Sequence, residues 1–112
     1  DFPKGMVESG EEPLAAAVRE VREESTIRDL EFTWGELSTQ TGPYSRGKTA
    51  RYFLAQTRQS TVDLPVNPEI GRPEHSEFRW VGYDEAMRLV SPRVRPVLQW
   101  AAQVMNLGAD ER

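Results

Sequence analysis

Apolar positions along the chain fall into short periodic stretches set apart by Gly and Pro. Leu14, Ala17, Val18 and Val21 recur at i, i+3, i+4 and i+7. That is one stripe of a 3.6-residue helix and predicts a helix over residues 12–24. Pro13 fits its first turn, where a missing N–H leaves nothing unpaired. Upstream, Pro3, Gly5, Ser9 and Gly10 punctuate a loop. The stretch LEFTWGELS, residues 30–38, predicts extended chain. TARYFLAQT, residues 49–57, predicts a strand with Ala50, Tyr52 and Leu54 on one face and Arg51, Phe53 and Ala55 on the other. Between them, TQTGPYSRGK carries Gly-Pro and Arg-Gly and reads as a loop or hairpin turn. VDLPVNPEIGRPEHS holds three prolines and predicts a long irregular loop of the kind that is usually functional or disordered. EFRWVGY reads as a short strand, Asp84 to Val90 as a short helix broken by Pro92, and residues 93–106 as a last helix. The apolar face of that helix is Val94, Val97, Leu98, Ala101 and Met105. Phe2, Trp34, Phe53, Trp80 and Trp100 are core candidates. No repeat or second domain is visible, so residues 1–112 are expected to form a single domain.

Composition narrows the class. With 112 residues, 38% of them apolar, and three Trp, the chain can build one core and does not resemble a disordered segment. No apolar run approaches the ~20 residues of a membrane span, and nothing at the start reads as a signal peptide. The absence of Cys excludes disulfides and thiolate metal sites and fits a cytoplasmic protein. A net charge of -4 makes a poor duplex nucleic-acid binder, since that role needs many phosphate-neutralising cations. The basic residues are nevertheless bunched: Arg46, Lys48 and Arg51 in one place, Arg88, Arg93 and Arg95 in another. Such bunches hold a small polyanion or are scattered solvated charge.

The segment REVREE, residues 19–24, raises a sharper question. Relative to Glu20, Glu23 is rotated about 300° and Glu24 about 40° around the helix, so the three carboxylates share one side. Like charges at these spacings destabilise a helix, so a compensating cation is expected. One candidate is a hard divalent ion, which takes oxygen ligands and shares them with substrate phosphates. The other reading is a solvated polar face screened by Arg19 and Arg22.

The surrounding run, GMVESGEEPLAAAVREVREESTI, resembles the signature of the Nudix hydrolase family: Gly5, Glu11 after five residues, then Arg19-Glu20-Val21-Arg22-Glu23-Glu24 and Ile27. One named position departs, Thr26 standing where the family has Gly. The resemblance implies an α/β fold, an α/β/α sandwich around a mixed sheet with a loop-helix-loop catalytic motif. It also implies that Glu20, Glu23 and Glu24 bind Mg2+ or Mn2+, with the Gly5 carbonyl as a further ligand. Arg19 would orient a catalytic glutamate, and Glu11 would lie at the edge of the site and support the loop-helix-loop. The implied activity is hydrolysis of a nucleoside diphosphate linked to another moiety, by attack of an activated water on phosphorus.

Beyond the signature, FPKGMVESGEE, GKTARYFLAQT and PEHSEFRWVGYDEAMRLV are similar to segments of the asymmetric diadenosine tetraphosphate hydrolases. The implied substrate is a dinucleoside polyphosphate, split to ATP and AMP. RNA 5′-pyrophosphohydrolases share parts of these segments and supply the alternative, an RNA 5′ end or another nucleoside diphosphate derivative. From another class, a non-catalytic nucleotide-binding module is also open. Glu74, six residues before Trp80, stands where several members carry an extra metal-binding or base glutamate. His75 contacts the polyphosphate, donates a proton, or is an ordinary surface histidine. Lys4 and Lys48 are candidates to neutralise phosphate, with Arg46 as a possible helper, and Tyr44 to stack on a base. Strands of such a fold normally precede the signature, so this chain is expected to lack its first strands. Because Thr is β-branched, Thr26 is expected to avoid a left-handed conformation and to leave the helix extended, with Ile27 buried.

Overall fold

The structure, a computed structural model, describes residue 2, residues 5–73, residue 75 and residues 77–110. One helix precedes two antiparallel strand pairs and two further helices follow them, and two compact units are present: residues 2–31 with 55–80, and residues 32–54 with 81–110.

In the first unit the leading element is α1, Pro13–Ser25. Pro13 occupies its first turn as expected, and Ala16 is its buried apolar residue. Its C-terminal end overturns the expected extended exit. Thr26 is left-handed, with φ 63 and ψ 7, a conformation that costs a non-glycine residue about 1–2 kcal/mol. Four hydrogen bonds hold it there. The Thr26 N–H donates to the Arg22 carbonyl at 2.9 Å, and its hydroxyl donates to the Ser25 carbonyl. The hydroxyl accepts the Asp63 N–H at 3.2 Å, and the Thr26 carbonyl accepts from Gln59 Nε2 at 3.1 Å. Tertiary bonds thus outweigh the local preference, and Ile27 is half-buried, not buried.

Downstream, Glu31 and Gln56 form an antiparallel bridge through two 2.8 Å backbone bonds. Asp29 accepts from the Thr57 hydroxyl and from the Arg58 N–H. The Pro-rich stretch is more ordered than its composition suggests. It contains a short hairpin of β3, Val66–Asn67, and β4, Arg72–Pro73. Asn67 Oδ1 accepts the Glu69 N–H at 2.9 Å, and left-handed Gly71 closes the turn onto the Asn67 carbonyl. The strand expected at 77–83 is not formed among its described residues, because no partner strand lies alongside. Trp80, expected in the core, is 56% exposed and donates its indole N–H to the Ser60 carbonyl.

The second unit opens on a turn that replaces most of the extended chain expected over 30–38. Gly35, with φ 87, donates its N–H to the Phe32 carbonyl. Strand β1, Ser38–Thr41, then pairs antiparallel with β2, Ala50–Phe53, in the register Thr39 with Tyr52 and Thr41 with Ala50. Their connection contains a 3₁₀ turn at Ser45–Gly47. Helix α2, Tyr83–Leu89, has Asp84 and Glu85 in its first turn and Arg88 in its last, a distribution that suits the helix dipole. Pro92 starts a second 3₁₀ turn, Pro92–Val94, that leads into α3, Arg95–Asp110. Arg95 Nε donates to the Met87 carbonyl at 3.0 Å and ties α2 to α3. Val94 and Val97 are the buried apolar residues here. Leu98 and Ala101 are half-buried and Met105 is exposed, so only the first part of the expected apolar face is covered. No helix of the described residues is long and apolar enough to cross a membrane.

Candidate functional site

Helix α1 carries Arg19, Glu20, Glu23 and Glu24, and the loop before it is folded back by its own bonds. The Glu11 N–H donates to the Glu8 carbonyl at 2.9 Å, and the Glu8 N–H donates to Glu11 Oε1 at 3.0 Å. This brings the Glu11 carboxylate to Arg19. Arg19 then grips Glu11 as a fork, through Nε at 2.9 Å and Nη2 at 3.1 Å. Its Nη1 donates to Glu20 Oε1 at 2.7 Å and to Glu23 Oε2 at 3.2 Å. Nη2 also reaches the Met6 carbonyl at 3.3 Å. Three carboxylates therefore share one planar guanidinium, a geometry that only Arg supplies. The hydrogen bond from Arg19, followed by the Glu8 backbone bond, holds the Glu11 carboxyl below its usual range. Glu11 in turn, then Glu20, pushes the Arg19 guanidinium further above its own range. Arg19 is the compensating cation of the like-charged face, and Arg22 forms no ion pair among the described residues.

Glu20 has a second constraint. Its carboxyl carbon lies 2.2 Å from where a Cβ on Gly5 would be. Only glycine leaves room for this carboxylate against the backbone of the loop. Glu24 is 8% exposed and accepts or shares a hydrogen bond with His75 Nε2 at 3.1 Å. Glu23 is the outermost of the three carboxylates, with a side chain 54% exposed.

All these donors are hard oxygens, and Glu20 is laid against the Gly5 backbone, so the residues present fit a hard divalent cation in kind. They do not form a closed cage: no group of three or more Asp, Glu or His is placed to hold a metal among the described residues. Arg19 instead engages one oxygen each of Glu20 and Glu23, and His75 one oxygen of Glu24. Glu74 and Lys4 lie outside the described residues.

Tyr44 and Lys48 belong to the second unit. The Tyr44 N–H donates to the Lys48 carbonyl at 2.6 Å, and its hydroxyl donates to Thr41 Oγ1. A partner invisible to sequence reading lies on its ring: the Arg93 guanidinium carbon is 5.0 Å from the ring centroid. Sequence reading also missed the Met6 carbonyl and the fork between Arg19 and Glu11. The spacing of Glu11 and Arg19 in the signature was the signal available for the fork.

The family model for the NUDIX domain matches residues 1–101. The chain is 34% identical over 90 residues to mouse (Mus musculus) bis(5′-nucleosyl)-tetraphosphatase [asymmetrical], an alignment covering 78% of this chain and 58% of the mouse protein. It is 34% identical over 107 residues to the pig (Sus scrofa) protein of the same name, covering 92% and 69%. An RNA pyrophosphohydrolase of Rhodospirillum rubrum is 31% identical over 108 residues, covering 88% and 66%. The chain thus spans just over half the length of the mouse relative. No solved structure matches it.

Proposed function

The chain belongs to the NUDIX domain family, and from that premise we propose that it is a divalent-metal-dependent pyrophosphohydrolase. It cleaves a nucleoside diphosphate linked to another moiety, and its best-supported substrate is diadenosine tetraphosphate, split asymmetrically to ATP and AMP. The observation that carries this reading is the Arg19-centred set of carboxylates on α1, with Glu20 seated against Gly5. A module that merely bound nucleotide would not need mutually repelling carboxylates clamped in this way.

Glu20, Glu23 and Glu24, with the Gly5 carbonyl and Glu74, would hold Mg2+ or Mn2+. Bound there, such an ion would neutralise phosphate charge and would lower the pKa of the attacking water. Arg19 fixes the orientation of Glu20 through Oε1, and Glu20 is a candidate base for the attacking water. Glu23, outermost on the face, is the second candidate base. Arg19 also keeps Glu11 ionised, which holds the loop against the helix. His75 steadies Glu24 and is the candidate contact to the polyphosphate. Lys4 and Lys48 neutralise phosphate oxygens, and Tyr44 stacks on a base.

A second reading, hydrolysis at RNA 5′ ends, is favoured by the similarity to RNA pyrophosphohydrolases and disfavoured by the net charge of -4. The test is product analysis on diadenosine tetraphosphate, ADP-ribose and 5′-triphosphorylated RNA, with and without Mg2+. ATP plus AMP from the first substrate, only with Mg2+, is the expected result. Preferential release of pyrophosphate from the RNA would establish the second reading, and no product from any of them would refute both.

A further inference from the structure

In the second unit, the connection between β1 and β2 carries Tyr44, Arg46 and Lys48, and Arg93 from another element lies on the Tyr44 ring. The Tyr44 ring is fixed at two points: its hydroxyl donates to Thr41, the last residue of β1, and its N–H donates to the Lys48 carbonyl. The Gly47 N–H returns to the Tyr44 carbonyl at 3.0 Å. Arg46 and Lys48 therefore project from the same closed turn as the ring. Arg46 is held left-handed, with φ 65, a backbone conformation that residues other than glycine seldom adopt. Arg93 comes from a different element, the 3₁₀ turn Pro92–Val94, which the buried side chain of Val94 anchors. Arg93 itself is exposed, with its guanidinium 5.0 Å from the Tyr44 ring centroid, within cation–π range.

Charge balance is what distinguishes this cluster. Arg46, Lys48 and Arg93 form no ion pair among the described residues, in a chain whose acidic residues outnumber its basic ones by 18 to 14. A guanidinium on a held aromatic ring, with two further cations in the same turn and no ion pair for any of the three among the described residues, matches a ligand that is both planar and anionic. A nucleotide is such a ligand: bases stack on tyrosine rings and on guanidinium planes alike, and lysine meets phosphate as a point charge.

We propose that Arg93 is a specificity-determining residue: with Tyr44 it forms an aromatic–guanidinium platform that receives the nucleobase of the substrate, while Arg46 and Lys48 take the adjoining phosphate. The choice of a nucleotide rests on the function proposed above. Arg93 contributes a stacking plane as well as charge, so lysine cannot fully replace it.

The experiment separates base recognition from charge and from folding. The full chain is titrated calorimetrically, without Mg2+, with AMP and with ribose 5-phosphate, which carries the phosphate but no base. Wild type binds AMP more tightly. Arg93→Ala weakens AMP about 10-fold and leaves ribose 5-phosphate within about 2-fold, as expected for loss of a stacking partner. Arg93→Lys recovers only part of the AMP affinity. Tyr44→Leu reproduces the Arg93→Ala loss, and Lys48→Ala weakens both ligands alike. Equal weakening of both ligands by Arg93→Ala, or full recovery by Arg93→Lys, would reduce Arg93 to a phosphate charge and overturn the proposal. So would unchanged affinity for both ligands accompanied by a lower Tm, the mark of a merely structural contact. Because binding is read without turnover, base-dependent AMP affinity in a chain that hydrolyses nothing would uphold Arg93 and remove the hydrolase reading. Turnover with an unchanged affinity ratio would do the reverse.

Discussion

Two charged clusters in this molecule solve opposite problems. On α1, Glu11, Glu20 and Glu23 are drawn onto Arg19, and Glu24 onto His75. In the turn between β1 and β2, Arg46 and Lys48, together with Arg93, have no described acidic partner. The first cluster is only partly compensated, one guanidinium holding three carboxylates. The second is organised by hydrogen bonds and a ring contact, and its charge is left for an anion. An acidic cluster held by one shared guanidinium keeps net negative charge and aims its carboxylates, whereas an open basic one suits residues that must attract.

The largest effect should come from breaking the first cluster at its carboxylates. Glu23→Gln or Glu24→Gln is expected to lower kcat by several orders of magnitude with the fold retained, since losing a negative charge relieves repulsion on α1. Turnover assays beside circular dichroism check both halves of that statement. Next in size is Gly5→Ala. Its Cβ would fall 2.2 Å from the Glu20 carboxyl carbon, so Glu20 must leave its place. A drop of about 10–100-fold in Mg2+ affinity or activity is expected, as for the loss of a group that orients a ligand. A Mg2+ titration of the activity measures it.

Acid sensitivity gives a third, smaller difference. The Glu11 carboxyl is held below its ordinary value of 4.5 chiefly by Arg19. A depressed carboxyl contributes stability that is present above the unfolded value and is lost as pH falls through the folded one. Stability is therefore expected to fall on acidification below about pH 4.5, and Arg19→Ala should flatten that fall. Asp29, held low first by the Thr57 hydroxyl, keeps its own share of the dependence in the variant. Melts between neutral and acid pH compare the two chains.

The smallest effect concerns the end of α1. Thr26→Gly relieves about 1–2 kcal/mol of left-handed strain and gives up two hydroxyl bonds worth about 0.5–1.5 kcal/mol each. A net gain of no more than about 1 kcal/mol is expected. Thr26→Ala keeps the strain and loses the bonds, so it should destabilise by at least about 1 kcal/mol. Denaturant midpoints of the two variants separate strain from hydrogen bonding.

What was legible in the sequence was mostly local. The α1 helix and Pro13 in its first turn follow from a 3.6-residue period, and the structure keeps them, but it buries Ala16 and leaves the expected stripe of Leu14, Ala17, Val18 and Val21 half-buried. The hairpin around Tyr44 was announced by Gly-Pro and Arg-Gly. Features set by distant parts of the chain were not legible. Residues 77–83 have strand-like composition, but no strand pairs with them among the described residues. The conformation of Thr26 is decided by Gln59 and Asp63, and no propensity at Thr26 itself reports them. Arg93 reads as one of a basic trio until the fold lays it on Tyr44. Within the candidate site, the fork from Arg19 to Glu11 depends on the loop folding back through Glu8, which charge pattern alone does not specify.

The central claim is that the carboxylates organised on α1 serve Mg2+-dependent cleavage of a phosphoric anhydride. It is tested most directly by incubating diadenosine tetraphosphate with the wild-type chain and with Glu24→Gln, each with saturating Mg2+ and with chelator, and separating the nucleotides released. Equal amounts of ATP and AMP are expected from the wild type with Mg2+ only, and almost none from the variant. Equal turnover by both chains at saturating Mg2+, or product release that persists in chelator, would contradict it.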